Sequence, residues 1–178
     1  MRPLLHVLFI GKHNNIRSVL AETLLHTKIN KGRLGKQFTC SSCGTDSLAS
    51  TPPPKDMQVF AKKHGYEMSG KLSSMLTKQM IESADIVFTV DRPTQDYVAR
   101  KYKLLKHKIF LLKQFDVVDV LTDLDIRDIS DNHEPADILE VYGQLKKEIN
   151  RIFEKLSTIS SKKVIMAKEY NRRKIEAE

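Results

Sequence analysis

The stretch LLHVLFIGKHNNIRS, Leu4–Ser18, decides the fold. Leu4–Ile10 is an unbroken apolar run of strand length, which suits a strand buried on both faces of a sheet, and Gly11 ends it. Apolar residues then recur at Val19, Leu20, Leu24 and Leu25, so the spacing predicts a helix over Ser18–Ile29 with the Ser18 hydroxyl as a candidate N-cap. Strand, loop, helix is an anion-binding layout, because a helix N-terminus offers free N–H groups and the positive end of its dipole. A loop feeding that end can curl its own amides inward as a nest. The phosphate-binding residues predicted here are therefore Gly11, Lys12, His13, Asn14, Asn15, Ile16, Arg17 and Ser18. Arg17 supplies a planar fork for two phosphate oxygens and Ser18 a hydroxyl. The plainer alternative is an Arg17 that only pairs a surface carboxylate. The loop has neither a Walker Gly-Lys-Ser/Thr ending nor a GxGxxG run, so nucleotide binding is a weak reading.

Further along, the same alternation repeats. Gln37–Cys43 is a second strand candidate. Thr51-Pro52-Pro53-Pro54 opens a helix to about His64, stopped by Gly65. Thr77 caps a short helix to Ser83, Ala84–Val90 (ADIVFTV) reads as a buried strand, Pro93–Tyr102 as a helix and Lys108–Leu112 as a strand. From Pro135 to Ile159 apolar residues keep helical spacing. Strands alternating with helices imply an α/β fold of three layers, a parallel sheet of about four strands with helices on both faces. Ligands of such sheets bind outside the carboxyl ends of the strands, which again selects the loop after Ile10. Residues 1–159 read as one domain and 160–178 as a basic C-terminal tail, partly helical or frayed.

Composition limits the rest. The chain has 178 residues, 40% hydrophobic and 29% charged, with a net charge of +8, as for an ordinary globular domain. No apolar run reaches the roughly 18 residues of a membrane span. The N-terminus makes a poor signal peptide, so a cytoplasmic protein without a membrane partner is expected. Charge is unevenly placed. Arg100–Lys113 holds six Lys/Arg and no acid, whereas Asp116–Asp137 holds eight Asp/Glu and only Arg127. The acidic run lacks the Gly and terminal Glu of an EF-hand loop, and no metal site is read there. The basic strip, with Tyr97, Tyr102 and Phe110 interleaved, is a weak candidate for nucleic-acid contact; Phe110 belongs to an apolar run that reads as core. Cys40 and Cys43 form a C-x-x-C, but on a strand the two face opposite sides, so two small buried hydrophobes are expected rather than a redox pair.

Several short motifs occur in a telling order: the loop's Asn14 and Arg17-Ser18, then Ala21-Glu22, Ser42-Cys43-Gly44-Thr45, Gly65-Tyr66-Glu67-Met68-Ser69, Ala84–Arg92, and Asp125-Ile126-Arg127-Asp128. Together they resemble the low-molecular-weight protein tyrosine phosphatases and the related thioredoxin-coupled arsenate reductases, over about residues 4–156. The resemblance implies the three-layer α/β fold, a phosphate-binding loop at 11–18 and a general acid near Asp128. It also implies a nucleophilic Cys at the position of Gly11, and glycine has no side chain to attack phosphorus. His13 stands at the family's loop Gly, Ile16 at its second Cys and Val19 at its Pro. Ile129 follows Asp128 where the family has Pro and then aromatics, and Leu48 stands near its other ring-stacking position.

The expectation is thus a phosphatase-like protein lacking phosphatase activity, which binds phosphate or a phosphorylated ligand through loop 11–18 in a regulatory role. No catalytic residue is assigned; His13 and Asp128 are the candidates. One alternative is an active phosphotyrosine-phosphatase-type hydrolase using His13 or water in place of the thiolate. Another is a protein or nucleic-acid interaction module using the strip 100–113 and the tail. No cofactor is expected.

Overall fold

The computed structural model describes residues 5–48, 50–117, 122–129 and 133–176, with side chains through 162. Four strands form one parallel sheet: β1 (Leu5–Gly11), β2 (Phe38–Gly44), β3 (Ile86–Thr89) and β4 (Ile109–Leu111), in the order β2-β1-β3-β4. The register pairs Leu5 with Phe38, Val7 with Ile86 and Val87 with Ile109, so all four strands start at one edge and end at the other. β1 is central. Val7, Leu8, Phe9 and Ile10 are fully buried, and the unbroken apolar run has no solvated side because both faces are covered.

Helices α1 (Arg17–Lys31), α2 (Lys55–Lys63), α3 (Lys78–Ser83), α4 (Arg92–Lys101) and α5 (Pro135–Glu176) supply the two outer layers. On one face Leu20, Leu24, Met57, Ala61, Leu145, Ile149, Ile152 and Leu156 of α1, α2 and α5 pack on Val7, Phe9, Phe38 and Phe88. On the other, Ile81 of α3 and Val98 of α4 pack on Leu8, Ile10, Cys43 and Val87. Alternate residues of β1 thus feed different layers, as strand geometry requires. Cys40 lies in the first layer and Cys43 in the second, both free and buried. Burial pushes the Cys43 thiol up to about 12, and burial with the Glu22 carboxylate nearby pushes Cys40 up as well, so neither is a thiolate near neutrality.

Three sequence expectations change. The first helix begins at Arg17, after Ile16, and no side-chain hydrogen bond caps it; Ser18 lies buried inside the first turn instead of serving as the N-cap. Its hydroxyl is taken up by the preceding loop. The fourth strand is only three residues long, because the chain tightens into 3₁₀ turns before it (Lys103–Lys108) and after it (Leu112–Gln114). Finally, the last helix does not end at Ile159: its backbone runs to Glu176, and Ser160 is buried, with its hydroxyl donating to Gln37 Oε1 at 3.3 Å. The segment read as a tail is, as far as Glu176, a continuation of α5. No described helix is long and apolar enough to cross a membrane.

Candidate functional site: an anion cradle at the strand ends

The sheet order reverses direction beside β1: β2 lies on one side and β3 on the other. Loops leaving the carboxyl ends of β1 and β3 therefore diverge and open a crevice, the usual ligand site of such sheets. Loop 11–18 occupies it. A cavity of about 170 Å³ there is lined by Gly11, Lys12, His13, Asn14, Asn15, Arg17, Ser18, Asp128 and Ile129. That is several times the ~30 Å³ of one liquid water. Seven of the eight residues expected from sequence line it, and Ile16, the eighth, turns into the core as the residue before α1.

The loop's shape is held by a buried network. Asn14 has φ 54°, a left-handed conformation that Asn tolerates better than most residues. Its side-chain amide donates to Ser18 Oγ at 3.0 Å and Ser42 Oγ at 2.9 Å, and its Oδ1 accepts from the Ser74 amide at 2.8 Å. Ser42 in turn donates to Glu22 Oε2 at 2.6 Å, and Glu22 pairs with Lys71. Three segments of chain, α1, β2 and the 71–74 stretch, are thereby tied to one loop residue. The positive φ falls on Asn14 and not on His13, so the histidine carries no such strain. A second constraint comes from Gly44 at the end of β2. A Cβ there would lie 2.6 Å from the Lys12 carbonyl and 3.0 Å from the Asn14 amide. Only glycine lets the loop pack this closely.

With Ile16 offering no capping side chain, the first-turn amides of α1 stay available to a ligand. Gly11 leaves the floor of the cavity without a side chain; the atom closest to where a Cβ would be is Ser18 Oγ, at 3.1 Å. His13 is exposed, and its Nδ1 lies 2.9 Å from the Asp46 carbonyl. A carbonyl can only accept, so the proton sits on Nδ1 and the Nε2 lone pair remains open in the neutral ring.

Arg17 is buried and holds three partners. Its Nη1 donates to Asp91 Oδ2 at 2.6 Å and to the Ile126 carbonyl at 3.2 Å, and its Nη2 pairs with Asp128 Oδ1 at 2.8 Å. Asp91 is itself buried and caps α4 by accepting from the Thr94 amide at 2.9 Å. Asp128 is 72% exposed in its side chain. The two carboxylates are thus unequal: Asp91 fixes the guanidinium, and Asp128 covers the fork from the solvent side. Of the two sequence readings of Arg17, the carboxylate partner is the one present in the structure.

Sequence reasoning missed Asp91, although its signal was legible: it directly follows a buried strand and precedes Arg-Pro, the pattern of an N-cap with Pro in the first turn. It also missed Tyr97 as a wall. Tyr97 of α4 lines a wider cavity of about 650 Å³ together with Lys12, Arg17, Asp46 and Asp128, so an aromatic reaches the site from a different element than the 129–131 segment. Leu48 is 81% exposed. Ser130 and Asp131 lie outside the described residues, as does Asp119. In the acidic run, Asp116, Asp123 and Asp137 pair with Lys155, Lys113 and Arg127, and Asp125 accepts from the Arg92 amide at 2.7 Å.

At its strand ends this three-layer α/β sheet carries a loop followed by an arginine whose fork meets an acid. The chain belongs to the low molecular weight phosphotyrosine protein phosphatase family, whose model matches residues 6–173. It is similar to the protein-arginine-phosphatase of Bacillus subtilis, 23% identical over 158 residues, covering 85% of this chain and 93% of that protein. A relative from Synechocystis sp. that carries the family's name is 29% identical over 86 residues, 48% of this chain; the chain spans about half of that relative, 54%. Among solved structures, the YwlE arginine phosphatase from Geobacillus stearothermophilus superposes with a TM-score of 0.77 at 26% identity, covering 89% of this chain and 96% of that one.

Proposed function

We propose that this family member is a cytoplasmic phosphate reader without phosphatase activity. It binds phosphate or a phosphorylated ligand through loop 11–18 in a regulatory role. The observation that carries the reading is the pairing of an intact cradle with an empty floor. Asn14 and Ser18 are bonded to each other and Arg17 stands at the end of the loop with Nη2 against the exposed Asp128, while Gly11 places no nucleophile beneath them. A thiolate at position 11 would form the phosphocysteine and would also repel a phosphate dianion; glycine does neither. The ligand's oxygens would take the loop amides, the α1 first turn and Arg17 Nη2, the last by displacing Asp128 and leaving Asp91 in place.

Phosphate titration followed by amide NMR tests this. Shifts confined to Lys12–Ser18 are expected, and none at millimolar phosphate overturns the reading. Aryl phosphate hydrolysis should stay near background, since losing a nucleophile that acts with its neighbours as a unit costs several orders of magnitude.

A second reading has one observation in its favour, the open Nε2 of His13. There the imidazole would attack phosphorus, the P–O bond would break with a proton from Asp128 going to the departing oxygen, and water would then cleave the P–N bond, releasing phosphate and returning a proton to Asp128. Turnover that disappears in His13→Ala would select it.

A further inference from the structure

We propose that the amino-terminal edge of the sheet, opposite the cradle, is a docking face for an anionic lipid surface. Because the four strands are parallel, every element that returns to the start of a strand turns over at this edge. α1 ends there with Lys31, followed by exposed Arg33 and Lys36 before β2. α4 ends there with Arg100 and Lys101, and the 3₁₀ turn before β4 adds Lys103, Lys106 and His107, all exposed. α5 reaches the same edge, where Ser160 meets Gln37, and adds the exposed Lys162. Carboxylates near this edge are already engaged: Glu82 with Lys78 at 3.0 Å, Asp85 with the His6 amide at 2.7 Å. Asp46, Asp91, Asp125 and Asp128 lie instead at the other edge. The exposed cations of α1, α4 and the 3₁₀ turn thus share one edge of the sheet.

A polyanion is the complement of such a face, and Leu104 selects which kind. It is 92% exposed at the crest of the 3₁₀ turn, between Lys103 and Lys106. An apolar tip ringed by cations matches a membrane interface, where cations meet lipid headgroups and the apolar side chain reaches the acyl boundary. A nucleic-acid backbone offers nothing to that leucine, and the aromatics that would stack on bases are engaged: Lys101 lies over the rings of Tyr97 and Tyr102 at 5.4 and 5.7 Å, and bonds the Tyr97 hydroxyl at 3.2 Å. Such contact needs no spanning helix. Docked this way, the cradle points away from the bilayer and stays open.

Co-sedimentation of the full chain with phosphatidylcholine vesicles, with and without phosphatidylglycerol, is the test. Binding is expected only to the anionic vesicles. Lys103→Gln and Lys106→Gln should each weaken it about fivefold, and Leu104→Ser, which changes no charge, about tenfold. All three positions are exposed, so the fold and the phosphate response of the loop should be untouched. No binding to anionic vesicles overturns the proposal. So does binding that Leu104→Ser leaves unchanged: the face would then read charge alone, and competition by single-stranded RNA would show a polynucleotide surface instead.

Discussion

Arg17 reaches Asp128 through Nη2, 2.8 Å from the carboxylate Oδ1, and the two side chains meet at the wall of the loop cavity. The pair is exposed on the Asp128 side, so it is worth at most about 1 kcal/mol. Asp128→Asn weakens the cover and removes a negative charge from the mouth. Phosphate should bind about two- to fivefold more tightly to this variant at low ionic strength, by calorimetric or NMR titration. Weaker binding would mean that Asp128 helps hold the anion.

Asp91 has the opposite role. Its removal leaves a buried guanidinium short of its main partner and α4 without its cap. Asp91→Ala should cost about 3–5 kcal/mol, lowering the melting temperature by roughly 10 °C in a chain of this size. Asp91→Asn retains a capping oxygen and should fall about midway. Calorimetry compares the three.

For Asn14 the backbone and the side chain can be separated. Asn14→Gly permits the φ of 54° but loses the bonds to Ser18, Ser42 and the Ser74 amide. A loss of about 2–3 kcal/mol is expected from these buried bonds, along with the amide shifts that report phosphate. A neutral outcome by denaturant unfolding would show the network to be dispensable.

Gly44→Ala tests the close approach of β2 to the loop. Its Cβ would meet the Lys12 carbonyl and the Asn14 amide, both backbone, so the loop itself has to move. Destabilisation of about 1–3 kcal/mol is expected, with phosphate affinity falling at least tenfold because the displaced atoms belong to the cradle. Retained affinity would show the cradle to be set by Asn14 alone.

Gly11→Cys adds the missing thiol. Ser18 Oγ must give by a few tenths of an ångström, within reach of a rotatable hydroxyl. Loop amides, the α1 dipole and Arg17 should bring the new thiol below the free value of about 8.5. Iodoacetamide labelling against pH reads this cleanly, since Cys40 and Cys43 are buried with raised pKa values and thus carry almost no thiolate at pH 7–8. An ordinary pKa at position 11 would mean a cradle that is not preorganised. Only feeble phosphatase activity should return, with His13 and Ile16 still in the loop.

The elements were legible where periodicity was strong. Leu4–Ile10 and Ala84–Val90 announced buried strands within a residue or two, and Thr77 capped its helix through the Met80 amide as its hydroxyl suggested. The start of α1 was misread because the fate of the Ser18 hydroxyl depends on Asn14, a partner that helical spacing does not reveal. β4 was over-extended because Leu112 is as apolar as a strand residue but lies in a 3₁₀ turn. In the site, the loop was visible as a local motif. The chain from Asn14 through Ser42 and Glu22 to Lys71 was not, because it joins residues up to 57 positions apart, which only the folded sheet brings together.

The placement of the two sulfurs has a consequence for life under peroxide. Cys40 and Cys43 lie on opposite sides of the sheet, so no disulfide can close between them while the fold stands, and as buried thiols they give an oxidant no sulfenic acid to start from. Thiol-dependent phosphatases fall silent when their loop cysteine is oxidised. With glycine at position 11, this loop carries no thiol to oxidise, so the anion binding proposed for it should be indifferent to the redox state of its surroundings.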